Sequence, residues 1–287
     1  RNRKLFFKDK GMFFTSLITP VILLVLYATF LAKEYRDSFA SAVPQGFELD
    51  SSLIDATVGG QLISSLLAVC CITVAFCSNM LMVHDKVTGA LRDITVTPVK
   101  RSTLAVSYYI ATVLSTMLIC LIATGAGFIY LAKAGWYLSA ADTALFVLDV
   151  ILLVLFGTAL SSIINFFLSS QGQMSAVGTI VSAGYGFICG AYMPISQFGE
   201  TLQHVISFLP GTYGTSLLRN HALAGVYQEM ADTGFPSEVI EAIKDSVDCN
   251  LYFFDSKVET GTMYLILAGS TAVLIGIYIV MNLLKKH

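Results

Sequence analysis

ATVGGQLISSLLAVCCITVAFCSNMLMV, residues 56–83, runs for 28 positions without one Asp, Glu, Lys or Arg. A bilayer core about 30 Å thick is crossed by roughly 20 apolar residues rising 1.5 Å each. The run is therefore long enough to span a membrane. Its apolar residues are continuous, not alternating, which excludes the strands of a closed barrel. A helix is then the one spanning form, because every backbone N–H must find its partner inside its own segment. Five more runs pass the same test, near 12–32, 103–132, 143–168, 174–193 and 262–283. The expected fold is an all-α membrane protein with six transmembrane helices in a single domain over residues 1–287. Composition agrees: 55% of the residues are apolar and 13% are charged, about half the charge density of a soluble domain. The chain opens on a basic segment ahead of an apolar run, as a signal peptide does. No small-residue cleavage site follows, so the first run reads as a retained helix.

Orientation follows from Lys and Arg. With both termini in the cytoplasm, 11 of the 17 basic residues lie inside: Arg1, Arg3, Lys4, Lys8, Lys10, Lys86, Arg92, Lys100, Arg101, Lys285 and Lys286. Lys33, Arg36, Lys133, Arg219, Lys244 and Lys257 lie outside. The acids go the other way, with only Asp9, Asp85 and Asp93 of 19 inside. The net charge of −2 argues against a nucleic-acid partner.

The connections differ in character. Residues 1–11 are basic around Leu5-Phe6-Phe7 and read as an interface helix lying on membrane lipid. Trp136 and Tyr137 suit an outer interface anchor. The segment 194–222 is apolar but broken by Pro194, Gly199, Pro210, Gly211 and Gly214, which suits a re-entrant hairpin. Residues 223–260 form an acidic outer cap, helical around 237–246. Gly178, Ser182, Gly186 and Gly190 recur every four residues, a small-residue ladder for close packing within a protomer or at a dimer seam. Asp149 is the one acid well inside a span and costs energy there; its position two turns from the outer end suits snorkelling. Five cysteines sit in apolar runs as core filling, and Cys249 stands apart in a polar segment without a disulfide partner nearby.

The inner loop reads HDKVTGALRDITVTPVKRSTLAVSYY, residues 84–109. On charge and length alone, 84–101 is either a solvated loop or a surface helix that seats in a partner. Its Asp85, Lys86, Gly89, Leu91, Thr97, Pro98, Lys100 and Arg101 resemble the coupling loop of type-2 ABC transporter permeases. A second stretch, MPISQFGETLQHVISFLPGTYGTSLLR at 193–219, is similar to the family's hairpin before its last helix, with Pro194, Pro210, Tyr213, Leu217, Leu218 and Arg219 in the matching places. Arg92 departs from the pattern, which usually has an acid there. The six-helix layout and basic start match as well.

The resemblance implies the membrane subunit of an ABC exporter of the drug and toxin branch, multi-pass in a bacterial plasma membrane. It implies a separate ATPase subunit that uses ATP and Mg, and a second permease copy, identical or similar. The first span and the small-residue helix would then lie at the dimer seam and pathway. No GxxxxGK[ST] loop exists to cradle phosphate, and no metal cluster or catalytic constellation appears, so this chain is expected to bind no cofactor and to be no enzyme itself. The few charges in the spans suit an amphiphilic cargo: a drug, toxin, peptide or lipid-like molecule. An ion-coupled secondary transporter is the alternative. It would depend on Asp149 and carry inverted repeats, which the sequence lacks.

Overall fold

The computed structural model describes residues 51–96, 101–254 and 256–284, together with the helical residues Val21, Leu24, Val25, Lys33 and Arg36. The interface helix expected at 1–11 and nearly all of the first span lie outside the described residues, as does Asp255.

The described chain is almost wholly helical. Helix α1 covers Ser51–Val87, α2 Ala90–Thr95, α3 Arg101–Ala134, α4 Ala140–Phe167 and α5 Gln171–Ile188. A 3₁₀ turn at Ile195–Gln197 leads to α6, Glu200–Ser207, and α7, Pro210–Asp232. Then come α8, Ser237–Ser246, a two-stranded antiparallel ribbon of β1, Leu251–Phe253, and β2, Ser256–Val258, and finally α9, Thr260–Leu284. Among the described residues, α1, α3, α4 and α9 are long and apolar enough to cross a membrane. Helix α5 falls short in composition, because Gln171, Gln173, four Gly and two Ser dilute its 18 positions. It also ends at Ile188, five residues before the span expected at 174–193.

The helices are not equivalent. The most apolar 18 residues of α1 are 94% buried in the protein, against 33% for α3 and 22% for α9. A helix apolar on all sides faces lipid or is enclosed; α1 is enclosed, packed by α3, α4, α5 and α7. Small residues let these neighbours close in. A Cβ on Gly157 of α4 would sit 2.7 Å from Ile72 Cδ1, and one on Gly60 of α1 would sit 2.6 Å from Leu223 Cδ2 of α7. The main core gathers Leu67, Ile72 and Phe76 with Phe146, Leu153, Leu217 and Leu267.

A capping box starts α4: Ser139 Oγ accepts from Asp142 N at 3.1 Å, and Asp142 Oδ2 accepts from Ser139 N at 3.1 Å. Pro210 opens α7 at a position where its missing N–H costs nothing. The boundary expected between hairpin and cap at residues 222 and 223 falls inside α7, which continues unbroken to Asp232. The C-terminal half of α7 joins the cap's own small core, where Leu223, Val226 and Met230 meet Leu53, Phe235, Ile240 and Ile243. Within the cap, Lys257 and Lys244 bond Glu241 and hold its carboxyl down to about 2.

Candidate functional site

The loop expected at 84–101 begins later than its sequence suggests. Helix α1 continues to Val87, so Asp85 and Lys86 belong to the spanning helix and not to a surface segment with Arg92 and Asp93. Both turn inward. Asp85 is 5% exposed and accepts a 2.5 Å hydrogen bond from the Tyr108 hydroxyl. Lys86 Nζ donates to the carbonyls of Asn165, Phe166 and Leu168 at 2.9, 2.7 and 3.2 Å. Those carbonyls close the C-terminus of α4, where only Asn165 O has a backbone donor, Leu168 N, and where a cation also meets the negative end of the helix dipole. Thus Asp85 ties α1 to α3, and Lys86 ties α1 to α4.

Gly89, at φ +81°, then reverses the chain, a left-handed conformation that ends helices and suits Gly. Its carbonyl accepts from Asp93 N as the single-turn helix α2 starts. Asp93 points to solvent, Leu91 is half-buried, and Val96 is 87% exposed. Thr97, Pro98 and Lys100 lie outside the described residues; for Arg92 and Arg101 only the helical backbone is described.

At the other end of α1, the hairpin residues assemble a clamp. Pro194 precedes the 3₁₀ turn. Tyr213 donates its hydroxyl to Ser207 O at 2.6 Å and ties α7 back to α6. Arg219, 1% exposed, is not the solvent-side cation that outer placement suggests. Its Nη1 donates to Val247 O and Asp248 Oδ2, each at 3.0 Å, and its Nη2 to Ser65 Oγ at 3.1 Å and to the Gly190 carbonyl. Asp248 also accepts from Ile195 N at 2.9 Å. One guanidinium thus joins α1, the end of α5, the hairpin start and the cap, using the forked donors that Lys lacks.

Asp149 does not snorkel. It is fully buried, with Oδ2 2.6 Å from His221 Nδ1 and Oδ1 accepting from the Tyr264 hydroxyl at 2.6 Å. This carboxylate joins α4 to α7 and α9. The small-residue ladder faces the chain itself. A Cβ on Gly178 would lie 2.7 Å from Met80 Cε, and one on Gly186 would lie 2.3 Å from the Tyr192 ring. Tyr192 also reaches Ser182 O, and Gly190, at φ +73°, supplies the carbonyl bound by Arg219. The outward side of α5 carries Ile180, Phe187 and Ile188 instead.

One cluster is new. Asn79 of α1 donates to Ser161 Oγ at 3.1 Å and Ser162 Oγ at 2.9 Å on α4, and accepts from Thr112 of α3 at 3.4 Å. Its sequence signal is an amide inside an apolar run, facing a Ser-Ser pair in another. Cys249 is a buried free thiol 3.3 Å from the Tyr227 hydroxyl. Among the described residues no group of His, Cys, Asp or Glu could hold a metal ion.

A family described as ABC-2 type transporter matches residues 1–222. The match ends within α7, so the cap and α9 lie beyond it. Among curated proteins no relative matches the chain.

Proposed function

The chain belongs to the ABC-2 type transporter family, and from that premise we propose that it is the permease of an exporter moving an amphiphilic substrate out of the cell. It is a membrane subunit, and in this family the ATPase normally resides in a separate chain. ATP and Mg act on that partner, and the sequence of this chain holds no phosphate loop of its own.

The observation that carries the reading is the continuity of α1. Its 37 residues form one rod, about 55 Å long at 1.5 Å per residue. One end meets α2 through the Gly89 turn; the other meets the hairpin helix α7 at Gly60 and Ser65. A partner ATPase seated on α2 and the exposed Val96 would push on this rod. The hairpin of Pro194, Pro210, Tyr213 and Arg219 would follow as the gate. A second copy of the chain completes the pathway. A seam along α5 would use its outward Ile180 and Phe187, because Gly178 and Gly186 already serve contacts within the chain. The cargo is amphiphilic, since α3, α4 and α9 hold few charges.

The test is copurification with an ABC ATPase and ATP-dependent efflux of a fluorescent amphiphilic dye from inside-out vesicles. Arg92→Glu with Lys100→Glu, and separately Val96→Asp, should abolish both assembly and efflux while leaving the melting temperature of the isolated permease unchanged. If both variants assemble and transport normally, the docking assignment is wrong.

A further inference from the structure

The last turns of two helices converge on one cavity between the hairpin and the cap. Its volume is about 260 Å³. His204 and Ser207 come from the end of α6, Asp245 from the end of α8, Tyr252 from β1, and Phe254 from the turn that follows. Drug-sized ligands occupy about 300–1,000 Å³, so this space suits a small molecule or a head group.

The charge around the cavity is one-sided. Two carboxylates line it, Asp245 and Asp248, and no Lys or Arg does. Asp248 is already matched: it accepts from Arg219 Nη1 at 3.0 Å and from Ile195 N at 2.9 Å. Asp245 is not. Its Oδ1 accepts from Asn250 Nδ2 at 2.7 Å and from the Tyr252 hydroxyl at 3.1 Å, both uncharged donors. Among the described residues Asp245 forms no ion pair, and its Oδ2 has no hydrogen-bond partner. The cap's two lysines, Lys244 and Lys257, bond Glu241 instead. The C-terminal ends of α6 and α8 add negative potential of the same sign.

The remaining wall is rich in rings. His204 and Phe254 lie 4.6 Å apart, tilted by 31°, and Tyr252 lines the same space. Phe254 stands at φ +53° and Asp248 at φ +55°, and among the described residues no other non-glycine residue has a positive φ. Asp tolerates that backbone, whereas a bulky ring rarely adopts it. Strain of this kind gathers at ligand sites, where the surroundings enforce it. Here the Phe253 and Phe208 rings, 5.0 and 6.3 Å away, pack against Phe254.

We infer that this cavity binds a small organic ammonium group, with the cation on Asp245 Oδ2 and its carbon substituents against Phe254, Tyr252 and His204. A carboxylate oxygen free of other partners suits a charged N–H donor, and aromatic faces attract cations. A metal ion does not suit the same place, because among the described residues no group of His, Cys, Asp or Glu could hold one. Two sources carry the ammonium chemistry: a dissolved amine, and the head group of a choline or ethanolamine lipid.

The test is titration calorimetry on the full chain in maltoside detergent at neutral pH, with benzylamine as the cationic probe and benzyl alcohol as its uncharged counterpart. Benzylamine should saturate one site, and the alcohol should bind about tenfold more weakly, the difference a charge-assisted hydrogen bond makes. That comparison uses the native chain and depends on no variant folding. Asp245→Asn keeps an acceptor for Asn250 and Tyr252, so it should melt near the native temperature. It should weaken benzylamine about tenfold and leave the alcohol unchanged. Phe254→Leu should cost the amine about threefold. Glu229→Gln, which removes a cap carboxylate outside the cavity, should change neither probe. Native mass spectrometry of the same preparation separates the two sources. A copurified phosphatidylcholine or phosphatidylethanolamine that benzylamine displaces and Asp245→Asn loses assigns the site to a lipid head group; benzylamine binding with no lipid displaced assigns it to a dissolved amine. If the alcohol binds as tightly as the amine, or if Glu229→Gln costs as much as Asp245→Asn, the cap attracts cations only diffusely and the site is overturned.

Discussion

Replacing Arg219 by Met tests the clamp that ties α7 to α1 and the cap. The arginine and Asp248 side chains are 1% and 5% exposed and stand 3.0 Å apart. Met keeps much of the volume and removes the charge. Asp248 would then retain Ile195 N–H, and the Val247 and Gly190 carbonyls would lose a donor. Breaking one side of a buried ion pair costs about 3–5 kcal/mol, because it strands the other charge. At about 2–4 °C per kcal/mol for chains of comparable size, Arg219→Met should lower the melting point by roughly 6–20 °C, read as the fraction surviving heating on size-exclusion chromatography in detergent. Adding Asp248→Asn removes the stranded charge and should restore at least half of the loss. Arg219→Lys should fall between, keeping the charge without the fork. If Arg219→Met melts within about 2 °C of the native chain, less than 1 kcal/mol on that scale, or if Asp248→Asn restores nothing, the clamp does not carry the stability assigned to it.

Lys86→Met should destabilise by about 1.5–3 kcal/mol through the lost charge-assisted bonds to the end of α4, measured by the same heating assay, with Lys86→Arg losing less. Gly225→Ala should abolish folded protein, since a Cβ there would fall 1.8 Å from the Tyr137 carbonyl oxygen, whereas Gly261→Ala, with open space around it, should express normally. Glu241, held at about 2 by Lys257 and Lys244, titrates below the unfolded value of about 4.3. Its contribution is complete above the unfolded value and fades as pH falls toward 2. For so exposed a pair it is worth less than about 1 kcal/mol. Glu241→Gln should flatten that part of the melting-temperature curve between pH 5 and pH 3, and an unchanged curve would show that the pair contributes nothing.

What could be read ahead of the structure depended on how local each signal is. Spans are local: apolar length predicted 143–168 and 262–283, and the helices cover Ala140–Phe167 and Thr260–Leu284. The cap helix expected around 237–246 is Ser237–Ser246. The family resemblance rested on the loop at 84–109 and the hairpin at 193–219, and the family match covers both. What one chain position cannot state is its distant partner. Asp149 finds His221 72 residues away, and Arg219 finds Ser65 across 154. Nor does an apolar run reveal whether lipid or protein surrounds it; α1 and α9 read alike, yet one is enclosed and the other largely bare. The ribbon at 251–258 escaped notice because two three-residue strands carry too little pattern to register. Asp85 and Lys86 read as loop residues because the charge-free run stops at Val83, whereas α1 continues to Val87 and both side chains turn inward.

The enclosure of α1 has a consequence for how the protein is made. The helix emerges from the ribosome long before its coat exists. Asn79 meets Thr112 after 33 residues, but Ser65 waits 154 residues for Arg219. At about 5–20 residues per second that wait is roughly 8–30 s. During it, Gln61, Ser64 and Ser65, all buried in the finished protein, have neither α7 nor the cap beside them. The insertion machinery, or a neighbouring helix acting as a temporary wall, must hold that half of α1 until the hairpin arrives. A chain that stalls before Arg219 would present quality control with an unsealed polar stripe in the N-terminal half of its central helix.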